Sequence, residues 1–207
     1  MIEDLNWRYA TKKFDPEKKL TGSIIEKLKE ATRLSASSYG LQPYQILIIE
    51  DKALRMQLLP HTYNQNQVVD ASHLFIFCHY INLKEDHIDQ YIKLSSKVRN
   101  TKMETLKGFA DDMKSSLLQM NTQQSHSWMS DQAFIALGQL INICAHLKVD
   151  ACPMGGFSAD GYEEILKLSE RNLKACVIMP VGYRSEDDPN QFKTKVRKST
   201  EELFIIV

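Results

Sequence analysis

The chain has no net charge: its 26 Lys and Arg residues balance 26 Asp and Glu. It also lacks a basic stripe with interleaved aromatics, which argues against nucleic acid as the main partner. No stretch approaches the ~20 apolar residues of a membrane span, so no membrane partner is expected. The opening Met1-Ile2-Glu3-Asp4-Leu5-Asn6 places acids where a secretory signal needs a positive segment and then an apolar one. The cysteines, Cys78, Cys144, Cys152 and Cys176, show no C-x-x-C spacing. Three of them lie in apolar runs, as suits reduced core thiols, and a cytoplasmic location is predicted.

Familiar catalytic signatures are missing as well. There is no G-x-S-x-G elbow for a hydrolase nucleophile and no G-x-x-x-x-G-K-[ST] loop for a nucleotide triphosphate. The absence of G-x-G-x-x-G argues against a tightly held dinucleotide. The six histidines form no H-E-x-x-H motif and pair with no cysteine at zinc spacing, so no metal site is expected. His73 and His79 flank an apolar run and read as core or edge residues. The acid pairs Asp111-Asp112 and Asp187-Asp188 read as solvent-facing.

What is present suits one globular domain spanning 1–207, with 43% apolar and 25% charged residues. Ser23 and Glu26 predict a capping box for a helix whose apolar face is Ile24, Leu28, Ala31 and Leu34. Tyr44–Ile49 and Leu74–Cys78 predict buried strands, and Asp51 caps a short helix that Pro60 ends. Two amphipathic helices follow, one through Ile88, Tyr91, Ile92, Ser95 and Val98, the other through Leu106, Phe109, Met113, Leu117 and Met120. Residues 133–147 are apolar on nearly every face and predict a central helix buried on all sides. Cys152–Phe157 is a turn in which paired glycines give access to conformations other residues avoid. A helix around Tyr162–Leu168 and a strand over Ala175–Met179 come next. Leu203–Val207 predicts an apolar strand, and an uncharged strand at a free end invites pairing with another chain. The pattern is helices interleaved with four or five strands, in a dimer.

Positive charge nevertheless collects near both ends, in Arg8-Tyr9-Ala10-Thr11-Lys12-Lys13 and in Lys195-Val196-Arg197-Lys198. Arginine offers a planar fork and lysine a point charge, so the two clusters can clamp one compact dianion if the fold joins them. Read alone, such runs are more often solvated surface than an anion site. Five polar, loop-placed segments lack a packing role: 8–12, 35–42, 63–67, 152–157 and 195–197.

In chain order the informative segments are Arg8–Phe14, Ser35-Ala36-Ser37-Ser38 with Gln42-Pro43-Tyr44, and Asn64-Gln65 leading to Asp70–His73. They continue with Trp128-Met129, Cys152–Phe157, Pro180–Tyr183 and Lys195–Arg197. Together they resemble the FMN-dependent nitroreductase family, in particular its oxygen-insensitive NAD(P)H nitroreductase and dihydropteridine reductase branch, over almost the whole chain. The resemblance implies an α+β fold, with a mixed central sheet wrapped by helices. It further implies an intertwined homodimer with the C-terminal strand exchanged and FMN at the interface. Arg8, Lys195 and Arg197 would hold the FMN phosphate, and Lys12 would lie beside the flavin N1 and C2 carbonyl. Ala36, Ser37 and Ser38 would come from the other subunit. Asn64 would meet the pyrimidine edge, and the backbone of Gly155 and Gly156 would face N5. Tyr9, Ala10, Gln42, Gln67, Pro153 and Met154 complete the implied cofactor contacts, with Tyr39 and Phe109 on the substrate side.

The implied activity is ping-pong two-electron transfer from NADH or NADPH, through FMN, to a nitroaromatic, a quinone or a similar small conjugated acceptor; the alternatives are another flavin reaction on the same fold (enone reduction, dehalogenation, or dihydropteridine or flavin reduction) and a non-catalytic flavin-binding module. The flavin performs that chemistry, so no residue is required as a catalytic acid. Several positions depart from the family pattern. Ala10 stands where serine is common, Gly40 where asparagine is frequent and Gly155 where glutamate is frequent. Gln67 stands where lysine is frequent, which leaves the choice between NADH and NADPH open.

Overall fold

Strand-forming runs and amphipathic segments assemble into an antiparallel sheet wrapped by helices, as seen in a computed structural model that describes residues 1–207. The sheet order is β1-β2-β4-β3, with β1 Tyr44–Ile49, β2 His73–Tyr80, β3 Asp150–Ala151 and β4 Leu173–Gly182. Register runs from Tyr44 opposite His79 to Ile49 opposite Leu74, and His73 lies opposite Val181. All named strands pair antiparallel, and the parallel component is a single bridge between Ala10 and Ala151.

β2 holds the sheet together because both of its faces are covered. Leu74, Ile76 and Cys78 pack into a cluster with Phe14, Met154, Tyr162 and Leu173. Phe75 and Phe77 point the other way, against Leu28, Ala133, Ala136 and Leu140, as the two-residue period of a strand requires. Each such side chain contributes roughly 1.5–3 kcal/mol when fully buried. The second cluster joins the sheet to α2 (Gly22–Arg33) and to α7 (Thr122–His146), a helix of 25 residues. A third, smaller cluster joins α5 (Glu85–Arg99) to α6 (Met103–Leu117) through Ile88, Ile92, Met113 and Leu117, and also takes in Leu41. The remaining helices are α1 (Ile2–Trp7), α3 (Lys52–Leu58), α4 (Gln67–Asp70), α8 (Ala159–Leu166) and α9 (Thr200–Leu203).

Three expectations are corrected. The cap of α2 is Thr21, whose hydroxyl accepts from the Ile24 N–H at 3.4 Å, so Ser23 sits inside the first turn. β1 is an edge strand, paired only with β2, and its middle residues are merely half-buried. α7 is not covered on every face: Phe134 and Ile135 are 47% and 48% exposed, so this helix shows an apolar strip to the outside. The C-terminal segment pairs with no strand of its own chain: a short helix ends at Leu203, and Ile205 and Ile206, 87% and 98% exposed, are left free for the expected pairing with another chain. The Asp51 cap, by contrast, forms as expected, accepting from Ala53 N at 2.7 Å.

Candidate functional site

The two chain ends meet beside β3. Residues 8–14 leave α1 in extended form and run along the sheet edge, with Thr11 N donating to Ala151 O at 3.3 Å. Thr11 is buried and its hydroxyl donates to Asp150, which also takes the Arg184 guanidinium in an ion pair at 2.6 Å. That guanidinium lies between the rings of Trp7 and Tyr9, 4.3 and 4.6 Å from their centroids. The stack fixes the residues on either side of Arg8.

Returning from β4, the chain reaches Asp188, which is fully buried and not, as expected, at the surface. Its Oδ2 accepts from Lys12 N at 2.7 Å, Tyr9 Oη at 3.0 Å and Lys13 N at 3.1 Å. Its Oδ1 accepts from the backbone N–H and the side-chain amide of Asn190, both at 3.0 Å. Burial alone would raise its pKa; the donors of Asn190, Lys12, Lys13 and Tyr9 outweigh it and hold the carboxyl at about 2. Burial, then the hydrogen bond to Asp188, pushes the Tyr9 phenol up.

Past Asp188 the chain carries Lys195 and Arg197 back to the N-terminal segment. Lys195 Nζ donates to the carbonyl of Arg8. Burial and the nearby Arg197 lower the pKa of Arg8; burial, Arg8 and Arg197 lower that of Lys195. None of the three forms an ion pair with a carboxylate, although Lys, Arg or the N-terminal amine does so in eight contacts elsewhere in the chain. Three cations drawn together against their own repulsion, without an internal counter-ion, can receive an external anion.

Next to this cluster, Lys12 is exposed, with Nζ 3.8 Å from the Sγ of buried Cys152. Burial pushes the Cys152 thiol up, Lys12 opposing, so it is no nucleophile. The 152–157 turn is tied to β4 by Met154 N to Ile178 O at 2.8 Å, and Met154 is buried while Pro153 is half-buried. Gly155 and Gly156 follow, both exposed. Neither has a positive φ, so the expected conformational reason for the glycines does not apply. A Cβ on Gly155 would meet nothing within 4 Å. What the glycines provide is open space, and their N–H groups donate to no backbone carbonyl. Gln65, unremarked among the contacts expected from sequence, joins this turn to the next by donating to Gly156 O at 3.2 Å and Thr62 O at 3.1 Å. Beside it Asn64 is exposed in a left-handed conformation at φ 56°, while Gln67, at the start of α4, is only 7% exposed.

The serine loop lies elsewhere. It feeds β1, at the sheet edge opposite β3, about 14 Å away at the usual strand spacing. Ser37 Oγ accepts from Gln42 N at 3.0 Å, and the Gln42 amide donates to Arg33 O at 2.9 Å. Ser38 N donates to Gln132 Oε1 at 2.7 Å, a buried glutamine on α7 with no motif to mark it. Ala36 is exposed. Tyr39 adopts φ 58°, which turns its ring towards Phe109, 6.1 Å between centroids. Phe109 leaves the apolar stripe of α6, at 38% exposure against 0% for Met113, so the two residues expected on a substrate side do meet.

The structure therefore gathers Arg8, Tyr9, Ala10, Lys12, Pro153, Met154, Gly155, Gly156, Lys195 and Arg197 on one side, with Asn64 tied in through Gln65. It gathers Ala36, Ser37, Ser38, Tyr39, Gln42 and Phe109 on another. No hydrogen bond or ion pair of one chain joins the two groups.

Comparison with known proteins gives a consistent result. A model of the nitroreductase family matches residues 5–183. A protein of Staphylococcus aureus (strain bovine RF122 / ET3-1) with the provisional name NAD(P)H nitroreductase is 31% identical over 212 residues, covering 99% of this chain and 94% of its own. A Staphylococcus epidermidis structure provisionally described as an NAD(P)H:FMN oxidoreductase superposes with a TM-score of 0.89 at 15% identity, over 100% and 95% of the two chains. A nitroreductase structure from Exiguobacterium sibiricum, in complex with FMN, gives 0.84 at 16% identity over 100% and 96%.

Proposed function

The chain belongs to the nitroreductase family, and on that premise we propose that it is an FMN-dependent NAD(P)H oxidoreductase that reduces nitroaromatics, quinones or similar flat conjugated acceptors. The observation that carries this reading is the convergence of Arg8, Lys195 and Arg197, each without a carboxylate partner, beside Lys12 and the Gly155–Gly156 turn. FMN has the matching parts: a phosphate for the three cations and a flat ring for the open space before the glycines. When bound, it supplies hydride transfer between NAD(P)H and acceptor.

The chain's own groups prepare that chemistry electrostatically. Lys12 presents a fixed ammonium where negative charge accumulates on a two-electron-reduced ring, and such preorganised charge is worth most where water is excluded. The N–H groups of Gly155 and Gly156, which donate to no backbone carbonyl, would be available to hydrogen-bond the bound ring system. Tyr39 and Phe109 form an aromatic wall suited to a planar acceptor. That wall and the serine loop lie across the sheet from the cations, so we take the working unit as a homodimer in which each copy's serine loop completes the partner's site. The bare strip of α7 and the unpaired tail Leu203–Val207 supply apolar surface for that association.

Anaerobic half-reactions test the reading. NADH or NADPH should bleach the flavin of the purified protein, and a nitroaromatic or quinone should restore the colour at a rate compatible with turnover. Bound flavin that NAD(P)H cannot reduce would refute the proposed activity.

A further inference from the structure

Asp188 is a buried carboxylate that touches neither open face of the site, and yet it receives five hydrogen bonds. Three come from residues 9–13 and two from Asn190, on the segment that leads to Lys195 and Arg197. One side chain thus fastens the strand bearing Lys12 to the loop bearing the C-terminal cations. We infer that Asp188 is the positioning residue of this enzyme, setting where Lys12 stands relative to the flavin and how closely the two halves of the cation cluster approach. The inference rests on the FMN reading proposed above.

Only a carboxylate of this length serves. Both oxygens face donors alone, so in asparagine either orientation of the amide aims an NH2 at N–H groups. Glutamate is longer by one methylene in a space with no exposure. An unmatched donor buried here displaces the backbone of Lys12 and Lys13, because a buried polar group left without a partner carries its full desolvation cost. The Lys12 ammonium moves with its backbone.

The test compares the wild-type protein with Asp188→Asn and Asn190→Ala. The second variant deletes one donor to Oδ1, lies outside the cation cluster, and keeps the question open to measurement if the first does not fold. Without flavin, amide exchange at Lys12 and Lys13 should accelerate at least tenfold in Asp188→Asn. With FMN, its dissociation constant should rise at least tenfold in Asp188→Asn and about threefold in Asn190→Ala. The two-electron potential of the bound flavin should become more negative in Asp188→Asn, which a merely structural role would not cause. Folded variants with wild-type exchange, affinity and potential would overturn the inference while leaving the proposed function intact. A wild-type protein that takes up no FMN would overturn the proposed function instead, whatever the exchange data.

Discussion

The two edges of the sheet are built in opposite ways. At the β3 edge, polar and charged side chains bind segments up to 187 residues apart: Asp188 to Lys12, Asp150 to Arg184, Lys195 to Arg8. At the β1 edge the strand is half-buried, and the serine loop before it is held by short-range bonds and by Gln132. One chain brings its cation cluster together by itself, whereas its aromatic pair and serine loop lie at the far edge of the sheet. A division of this kind suits a site shared between two copies, each giving one edge to its partner.

The largest break in that comparison should come at the clamp. Arg8→Ala with Arg197→Ala removes two charge-assisted contacts of about 1.5–3 kcal/mol each, so FMN affinity should fall by roughly 10²–10⁴ in a fluorescence titration. Next, Lys12→Ala should slow reduction of bound flavin by NAD(P)H about 10²-fold in stopped-flow absorbance, with a smaller effect on FMN retention. Third, deleting residues 200–207 removes Leu203–Val207, whose apolar side chains contribute up to about 1.5–3 kcal/mol each if buried against a partner. Sedimentation should then show the dimer dissociating at least tenfold more readily.

Smaller effects sharpen the contrast. Phe109→Ala should raise KM for flat acceptors about two- to tenfold and leave flavin reduction unchanged, since the aromatic wall is worth little to the clamp. The smallest concerns pH. The Asp188 carboxyl is held at about 2 against an ordinary 3.8, so its contribution to stability is complete above pH ~4 and lost as pH falls towards 2. Urea unfolding should show a decline of order 1 kcal/mol across that window, and in Asp188→Asn the part of the slope due to this group should vanish.

The same contrast explains what could be read from sequence. The clamp lies in contiguous motifs: Arg8 to Lys12 and Lys195 to Arg197 stand out as charge without a packing role, and the fold brings them together. Strands β2 and β4 were legible because runs such as Leu74–Cys78 can only be buried. Asp188 was not legible, because an acid beside Asp187 and before Pro189 has the composition of a surface loop; its burial arises from a segment 176 positions away. Gln132 escapes for the same reason, as its partner is a loop distant in sequence, and Gln65 stands in a flagged segment without its tie to Gly156 being foreseen. For the glycines of the 152–157 turn, backbone freedom is the reason the sequence suggests, whereas their φ values are ordinary and what they leave is open space. The tail was recognised as strand-like, yet local sequence says nothing about whose sheet it joins.

The central claim is that the two chain ends form one phosphate site for FMN. Equilibrium titration of the flavin-free protein with FMN tests it most directly: saturation at one FMN per chain is expected, abolished at the same concentrations in the Arg8→Ala, Arg197→Ala double variant. FMN uptake that is undiminished in that variant, or absent from the wild type, would contradict the account.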